Sequence, residues 1–392
     1  MIRSVCIFLA ALPMALLGSC EPVFQGSDGG TTPSDSDASV EVPGDGSVDA
    51  GPELRPDAGL EEDGGVPDAG TASVARNGVW LTRNYVAYSS FYAPAVVEDL
   101  ATRMSSQYEI GRLFVNVDRI GADGRFIDAA PKMSEFLENL AAWESRSGRR
   151  FEVYAWVNGS TTGTAAIDLT RPEVRAAVVE ECQKLVAPWE SGSYVAGTQR
   201  PFDGVQIDFE PSGFDQVRFN ALLELMDELR TGFAAVGRSD ALLSVAAHKL
   251  GTGGEYQWSP AFYDAMADRV DVLAAMTYNS GSDDGAAYQT WMRQQVTGVL
   301  KALSAPKRPM EVLFGLPSYP PNASHDPAAE TIASGADGMR AAIAELESAA
   351  DPALAFLGGA AVYLHTKGIA DDGYARWDTE WWWFGHHWLQ RW

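Results

Sequence analysis

The chain has 392 residues and a formal charge of −24, with 53 acidic against 29 basic residues. That length holds one large domain or two ordinary ones. The acidic balance, with no basic cluster anywhere, argues against a nucleic-acid partner.

The first segment, MIRSVCIFLAALPMALLGSC, has a basic start at Arg3, an apolar middle and a small-residue ending. That is the pattern of a secretory signal rather than of a membrane span. Its last four residues, Leu17-Gly18-Ser19-Cys20, resemble the lipobox of bacterial lipoproteins. The resemblance implies that residues 1–19 leave as a signal peptide and that lipid joins the Cys20 thiol. The other reading is an ordinary signal peptide that happens to contain a cysteine. The three cysteines agree with the lipid. Cys6 leaves with the signal, Cys20 is lipidated, and Cys182 is left alone, so no internal disulfide forms. Cys182, in the helical-looking AAVVEECQKLV, reads as a packing residue.

Residues 20–76 follow, with the run GSDGGTTPSDSDASVEVPGDGSVDAGPELRPDAGLEEDGGVPDAG. Such a composition cannot bury enough apolar surface to offset its ordering entropy. It reads as a disordered, acidic tether between lipid and domain. The expected location is extracytoplasmic, anchored to a membrane or cell surface, and the expected state is a monomer.

From residue 77 tryptophan, tyrosine and branched residues appear, and strand and helix patterns alternate. VWLTRNYVAYSS (79–90) reads as a strand, then PAVVEDLATRMSS as a helix. GRLFVNV (111–117) precedes KMSEFLENLAAWESR, and FEVYAWVNG (151–159) precedes RPEVRAAVVEECQKLV. DGVQIDFEP is the fourth strand, before DQVRFNALLELMDELRTGF. ALLSVAAHK (241–249) leads to SPAFYDAMADR, and VDVLAAMTYN (270–279) to AYQTWMRQQVTGVLKAL. PMEVLFGLPSY (309–319) leads to SGADGMRAAIAELES. LGGAAVYLHT (357–366) is the eighth strand, with WDTEWWWFGHHWLQRW as a closing helix. Eight strand–helix units over residues 77–392 predict a (β/α)₈ TIM barrel. Near-continuous apolar strands fit a parallel sheet buried on both faces. The alternative, an open doubly wound sheet, calls for a glycine-rich phosphate loop after the first strand, which is lacking.

In such barrels the active site lies at the C-terminal strand ends. Those ends offer Tyr88, Asn116, Trp156 with Asn158, Asp208 with Glu210, His248, Tyr278 with Asn279, Tyr319, and Tyr363 with His365. Aromatic faces between amides and carboxylates suit a sugar ring, and a pocket for another small molecule stays open. Asp208 and Glu210 are two residues apart, so on a strand both point to one face. Paired acids are costly to bury and indicate chemistry or a compensating partner.

Asp203-Gly204-Val205-Gln206-Ile207-Asp208-Phe209-Glu210 resembles the fourth-strand signature D-x-x-D-x-D-x-E of family 18 glycoside hydrolases, the chitinase-like enzymes. MTYN (276–279) looks like the family's sixth-strand Met-x-Tyr-Asp, and GLPSY (315–319) like its seventh-strand segment. The resemblance implies retaining cleavage of a β-1,4-linked glycan containing N-acetylglucosamine, such as chitin, peptidoglycan fragments or N-glycan cores. By that resemblance Glu210 is the general acid and the substrate's own N-acetyl carbonyl is the nucleophile. Asp208 orients that group and stabilises the oxazolinium ion, and Tyr278 hydrogen-bonds it. Asp203, Gln206, Trp156, Asn279, Tyr319 and Tyr363 complete the candidate substrate site. The residues agree: Glu210 beside ionised Asp208 is expected to have a raised pKa. EVLFGLPSY carries no acid at its C-terminal end to serve as nucleophile.

The sequence departs from the family in three places. Gln206 replaces an aspartate that shares a proton with the Asp208 counterpart; glutamine can hydrogen-bond to Asp208 but cannot take its proton. Asn279 replaces another aspartate. Tyr363 and His365 stand where a tryptophan often forms the subsite floor, with Trp377, Trp381 or Trp382 as substitutes. The competing readings are a catalytically weak or inactive glycan-binding protein, against which Glu210 argues, and a glycosidase of another barrel family. For His248, packing or indirect support outweighs catalysis. His386, His387 and the tryptophans around them read as faces of an amphipathic helix. Asp283-Asp284 reads as a solvated loop, and Asn322-Ala323-Ser324 as an idle sequon. No cofactor is implied, and no His/Cys spacing suggests zinc.

Overall fold

The structure, a computed structural model, describes residues 77–160, 166–212, 215–252, 254–319 and 325–365, with only the backbone of residue 365. The signal, the tether, the sequon and the closing tryptophan-rich helix lie outside the described residues. So do the His365 side chain, Trp377, Trp381 and Trp382.

Eight parallel strands close into a barrel: β1 (Asn77–Leu81), β2 (Ile110–Arg119), β3 (Glu152–Gly159), β4 (Gly204–Phe209), β5 (Leu242–Ala247), β6 (Val272–Ala275), β7 (Glu311–Pro317) and β8 (Leu357–His365). Each pairs with the next, and β8 pairs with β1. Between them run α1 (Pro94–Ser106), α2 (Met133–Ser147), α3 (Pro172–Val186), α4 (Gln216–Ala235), α5 (Pro260–Ala267), α6 (Gly285–Ala302) and α7 (Ile332–Ser348). The predicted TIM barrel is the observed fold.

Local chemistry sets the helix starts. Asp215 Oδ1 accepts the Arg218 amide at 2.9 Å, Asp284 Oδ1 accepts Ala287 at 2.8 Å, and Thr331 Oγ1 accepts Ser334 at 2.9 Å. Each satisfies a backbone donor that a helix leaves orphaned. Asp284 is therefore a helix cap rather than a simple solvated loop residue.

Strand alternation divides the core into two layers. Val205, Ile207 and Phe209 face the helices, within a large shell that includes Val79, Leu113, Val153, Leu243 and Val312. The opposite parity fills the barrel with Trp80, Phe114, Tyr154, Trp156, Val272, Ala274, Leu313 and Ala361. Gln206 and Asp208 share that inward parity. Cys182 is buried on α3, and burial pushes its thiol pKa up, as a packing residue requires.

Two expected strands are shorter than read. The first ends at Leu81, because Arg83–Val86 forms a 3₁₀ turn and Arg83 turns outward to bond Asp128 at 2.8 Å. Tyr88 therefore precedes a one-turn helix, Ser89–Tyr92, and is 57% exposed instead of sitting at a strand end. The sixth stops at Ala275, where the Thr277 amide turns back to the Ala275 carbonyl and Asn279 adopts φ 54°.

The N-terminal mouth of the barrel is closed by an ion cluster. Arg112 on β2 bonds Glu152 on β3 at 2.8 Å and Glu311 across the barrel on β7 at 2.6 Å. Burial disfavours the guanidinium charge, but the two carboxylates outweigh it and hold its pKa above the ordinary value. Arg112→Met leaves both acids facing a low-dielectric interior. The expected loss is about 3 kcal/mol, the low end for a broken buried pair, since both acids keep some solvent. Urea unfolding of the parent and variant checks this.

Candidate active site

The site is built at the opposite, C-terminal end. Its centre is β4, whose inward parity carries Gln206, then Asp208, then Glu210 just beyond the strand. Trp156 on β3, 4% exposed, donates Nε1–H to Asp208 Oδ2 at 2.9 Å. That bond fixes the orientation of the carboxylate. The Glu210 side chain is 39% exposed, so it can reach a ligand above the barrel. His248 Nδ1, beyond the end of β5, lies 3.5 Å from Glu210 Oε2.

Tyr278 follows β6 and is buried. Burial raises its hydroxyl pKa well above the ordinary value, and Tyr363, Tyr319, Asp208 and Glu210 raise it further. It is therefore a lasting proton donor that feels the charge of both acids. Tyr278 stacks on Tyr363 at 5.3 Å and meets Tyr319 edge-on at 5.7 Å. Tyr363 also meets Trp80, Trp156 and Tyr319 edge-on at 5.8, 6.0 and 5.4 Å. Among the described residues Tyr363 is thus the centre of this aromatic cluster. Tyr319 donates its hydroxyl to Asn279 Oδ1 at 2.7 Å, so these two candidates also come together.

Two expected ligand contacts are corrected. Asp203 lies at the wrong end. Five residues along a strand separate it from Asp208, about 16 Å at about 3.3 Å per residue. Its carboxylate holds Arg150 at 2.7 Å, Arg200 at 3.1 Å and the Val153 amide at 2.8 Å. It anchors β3 to β4. Gln206 is fully buried, so it touches no ligand. Its Oε1 accepts Trp80 Nε1–H at 2.6 Å, and its Nε2 donates to Ser244 Oγ at 3.1 Å. The amide is committed to those neighbours rather than to Asp208. It forms an uncharged layer beneath the acids.

Sequence reasoning missed Trp80 and Glu330. Trp80 sits inward on β1, and the strand's parity is a signal that could have found it. Glu330, 1% exposed, gathers the loop after β6. Its oxygens accept the amides of Asn279, Ser280 and Gly281, the Ser280 hydroxyl and His325 Nδ1. Burial pushes its pKa up, but the bonds from His325 and Ser280 prevail and hold it below the ordinary value. Among the described residues no group of three or more His, Cys, Asp or Glu is placed to hold a metal.

A closed barrel with paired acids at the end of β4, over an aromatic floor, defines a barrel glycosidase. The model of the family Glycosyl hydrolases family 18 matches residues 99–384, and the chain belongs to that family. By family it is a chitinase-like glycosidase. Among solved structures, the C-terminal domain of a putative chitinase from Desulfitobacterium hafniense DCB-2 is similar at TM-score 0.50 and 17% identity, over 78% of this chain and 99% of that one. The group IV chitinase of Ostrinia furnacalis, in complex with allosamidin, gives 0.47 and 15%, over 73% and 92%. The spore cortex-lytic enzyme SleL of Bacillus megaterium QM B1551 gives 0.46 and 13%, over 74% and 71%. The first of these likenesses bears on the fold. No curated protein matches.

Proposed function

We propose that the chain cleaves a β-1,4-linked glycan containing N-acetylglucosamine, with retention and without an enzyme nucleophile. Glu210 gives its proton to the glycosidic oxygen. The substrate's acetamido carbonyl attacks the anomeric carbon, and water later opens the oxazolinium ion with Glu210 as base. Asp208, held by Trp156, and Tyr278 orient the acetamido group. The observation that carries this reading is the placement of one half-exposed acid beside one oriented acid and a buried tyrosine. Among the described residues, two partly or fully buried carboxylates in the loops at this end are committed elsewhere: Asp118 accepts the Asp128 amide at 3.0 Å, and Glu330 binds five donors. That supports the substrate-assisted route over a double displacement, which needs a second free carboxylate about 5 Å from the first.

The test is proton NMR of the full chain acting on an N-acetylglucosamine oligomer. The first product is expected in the β-anomeric form, and the fully deacetylated oligomer is expected to resist. An α-anomeric first product, or equal cleavage of both oligomers, overturns the mechanism. Binding without cleavage would point to a glycan-binding protein.

The same reading places the domain outside the cytoplasm. Residues 1–19 serve as signal, Cys20 carries lipid, and residues 20–76 tether residues 77–392 to the membrane. Cys20→Ala is expected to release soluble protein on cell fractionation. A variant that stays fully with the membranes refutes the anchor.

A further inference from the structure

We propose that His248 is a positioning residue for the general acid: its Nδ1–H braces Glu210 and stabilises the carboxylate as the acid proton leaves. This rests on Glu210 being that acid. Two observations carry it. Nδ1 lies 3.5 Å from Glu210 Oε2. His248 Nε2 is buried and has no hydrogen-bond partner among the described residues. A donor facing Glu210 requires the ring proton on Nδ1, which leaves Nε2 a bare acceptor. A histidine kept for packing alone would leave no such unmet acceptor, since an apolar side chain would fill the space without that cost.

The surroundings keep the ring neutral. Burial lowers its pKa to about 4; the Glu210 main-chain bond opposes this, Lys249 lowers it further, and Glu255 opposes. The rings of Tyr256 and Trp258 stand edge-on at 5.7 and 6.2 Å, and the Tyr263 hydroxyl from α5 binds the His248 carbonyl. Neutrality matters. A fixed cation beside Glu210 would strip its proton at neutral pH. A neutral donor favours the carboxylate only modestly before reaction and supports it as charge develops. In the step, the Glu210 proton moves to the glycosidic oxygen, the carbon–oxygen bond breaks, and His248 keeps its own proton.

The test compares full-length parent, His248→Met and His248→Gln on an N-acetylglucosamine oligomer across pH, with Glu210→Gln as control. Loss of the donor in His248→Met is expected to lower kcat about tenfold, the size of one neutral hydrogen bond, with KM within about twofold. Its alkaline limb is expected to move up by about half a pH unit, because the carboxylate has lost a donor. His248→Gln, which keeps a neutral donor, is expected to restore both. Should His248→Met fail to fold, His248→Phe removes the donor in its place. An unmoved alkaline limb in the folded donor-free variant, or no rescue by glutamine, overturns the proposal while leaving Glu210 as acid. A parent without Glu210-dependent hydrolysis overturns both.

Discussion

Glu210→Gln is expected to lower kcat on an N-acetylglucosamine oligomer by about 10²–10⁴-fold, the usual contribution of a general acid. Glutamine keeps the shape and the hydrogen-bonding edge, so KM should stay within about threefold. The discriminating measurement uses two substrates. A glycoside with a dinitrophenyl leaving group needs no proton on departure, so its first cleavage step should suffer far less than that of the oligomer. Equal losses on the two would mean that Glu210 acts otherwise than as an acid. An unchanged kcat on the oligomer would remove it from the chemistry altogether.

Gly204→Ala is the stability counterpart. A Cβ at this position would stand 2.1 Å from the Leu242 carbonyl oxygen and 2.7 Å from its carbon. Both are backbone atoms, in the register that pairs Gly204 with Leu242. No rotamer relieves that overlap, so β4 must part from β5 at its first residue. The expected cost is about 3 kcal/mol, at the upper end for overpacking. That corresponds to a fall in Tm of roughly 4–5 °C for a domain of this size. Because β4 also carries Asp208 and Glu210, kcat should fall in the folded remainder. A variant melting within about 1 °C of the parent would show that the ladder yields cheaply.

Much of this architecture was legible because it is written in period and parity. Eight apolar runs alternating with amphipathic ones gave the barrel, and PAVVEDLATRMSS matches the bounds of α1. The pair Asp208 and Glu210 was legible from its two-residue spacing. Asp203 misled because a motif shows order along a strand but not which end of the barrel each residue occupies. Gln206 misled because its partners, Trp80 and Ser244, lie on other strands, 126 and 38 residues away. Glu330 gave no signal at all, since a carboxylate in a loop reads as solvated. Its partners in the Asn279–Gly281 loop lie about fifty residues earlier in the chain.

The loop gathered by Glu330 has a thermodynamic consequence. Its main chain around Asn279 is fixed by the protein itself, including a left-handed residue that a free loop would rarely visit. Ordering of the segment that follows Tyr278 is therefore already complete before any ligand arrives. A ligand contacting Asn279 or Tyr319 meets a surface that needs no folding around it, and association forfeits little chain entropy there. Calorimetry on a Glu330→Gln variant would register the difference as a more unfavourable binding entropy, offset in part by enthalpy, rather than as a change in which groups are touched.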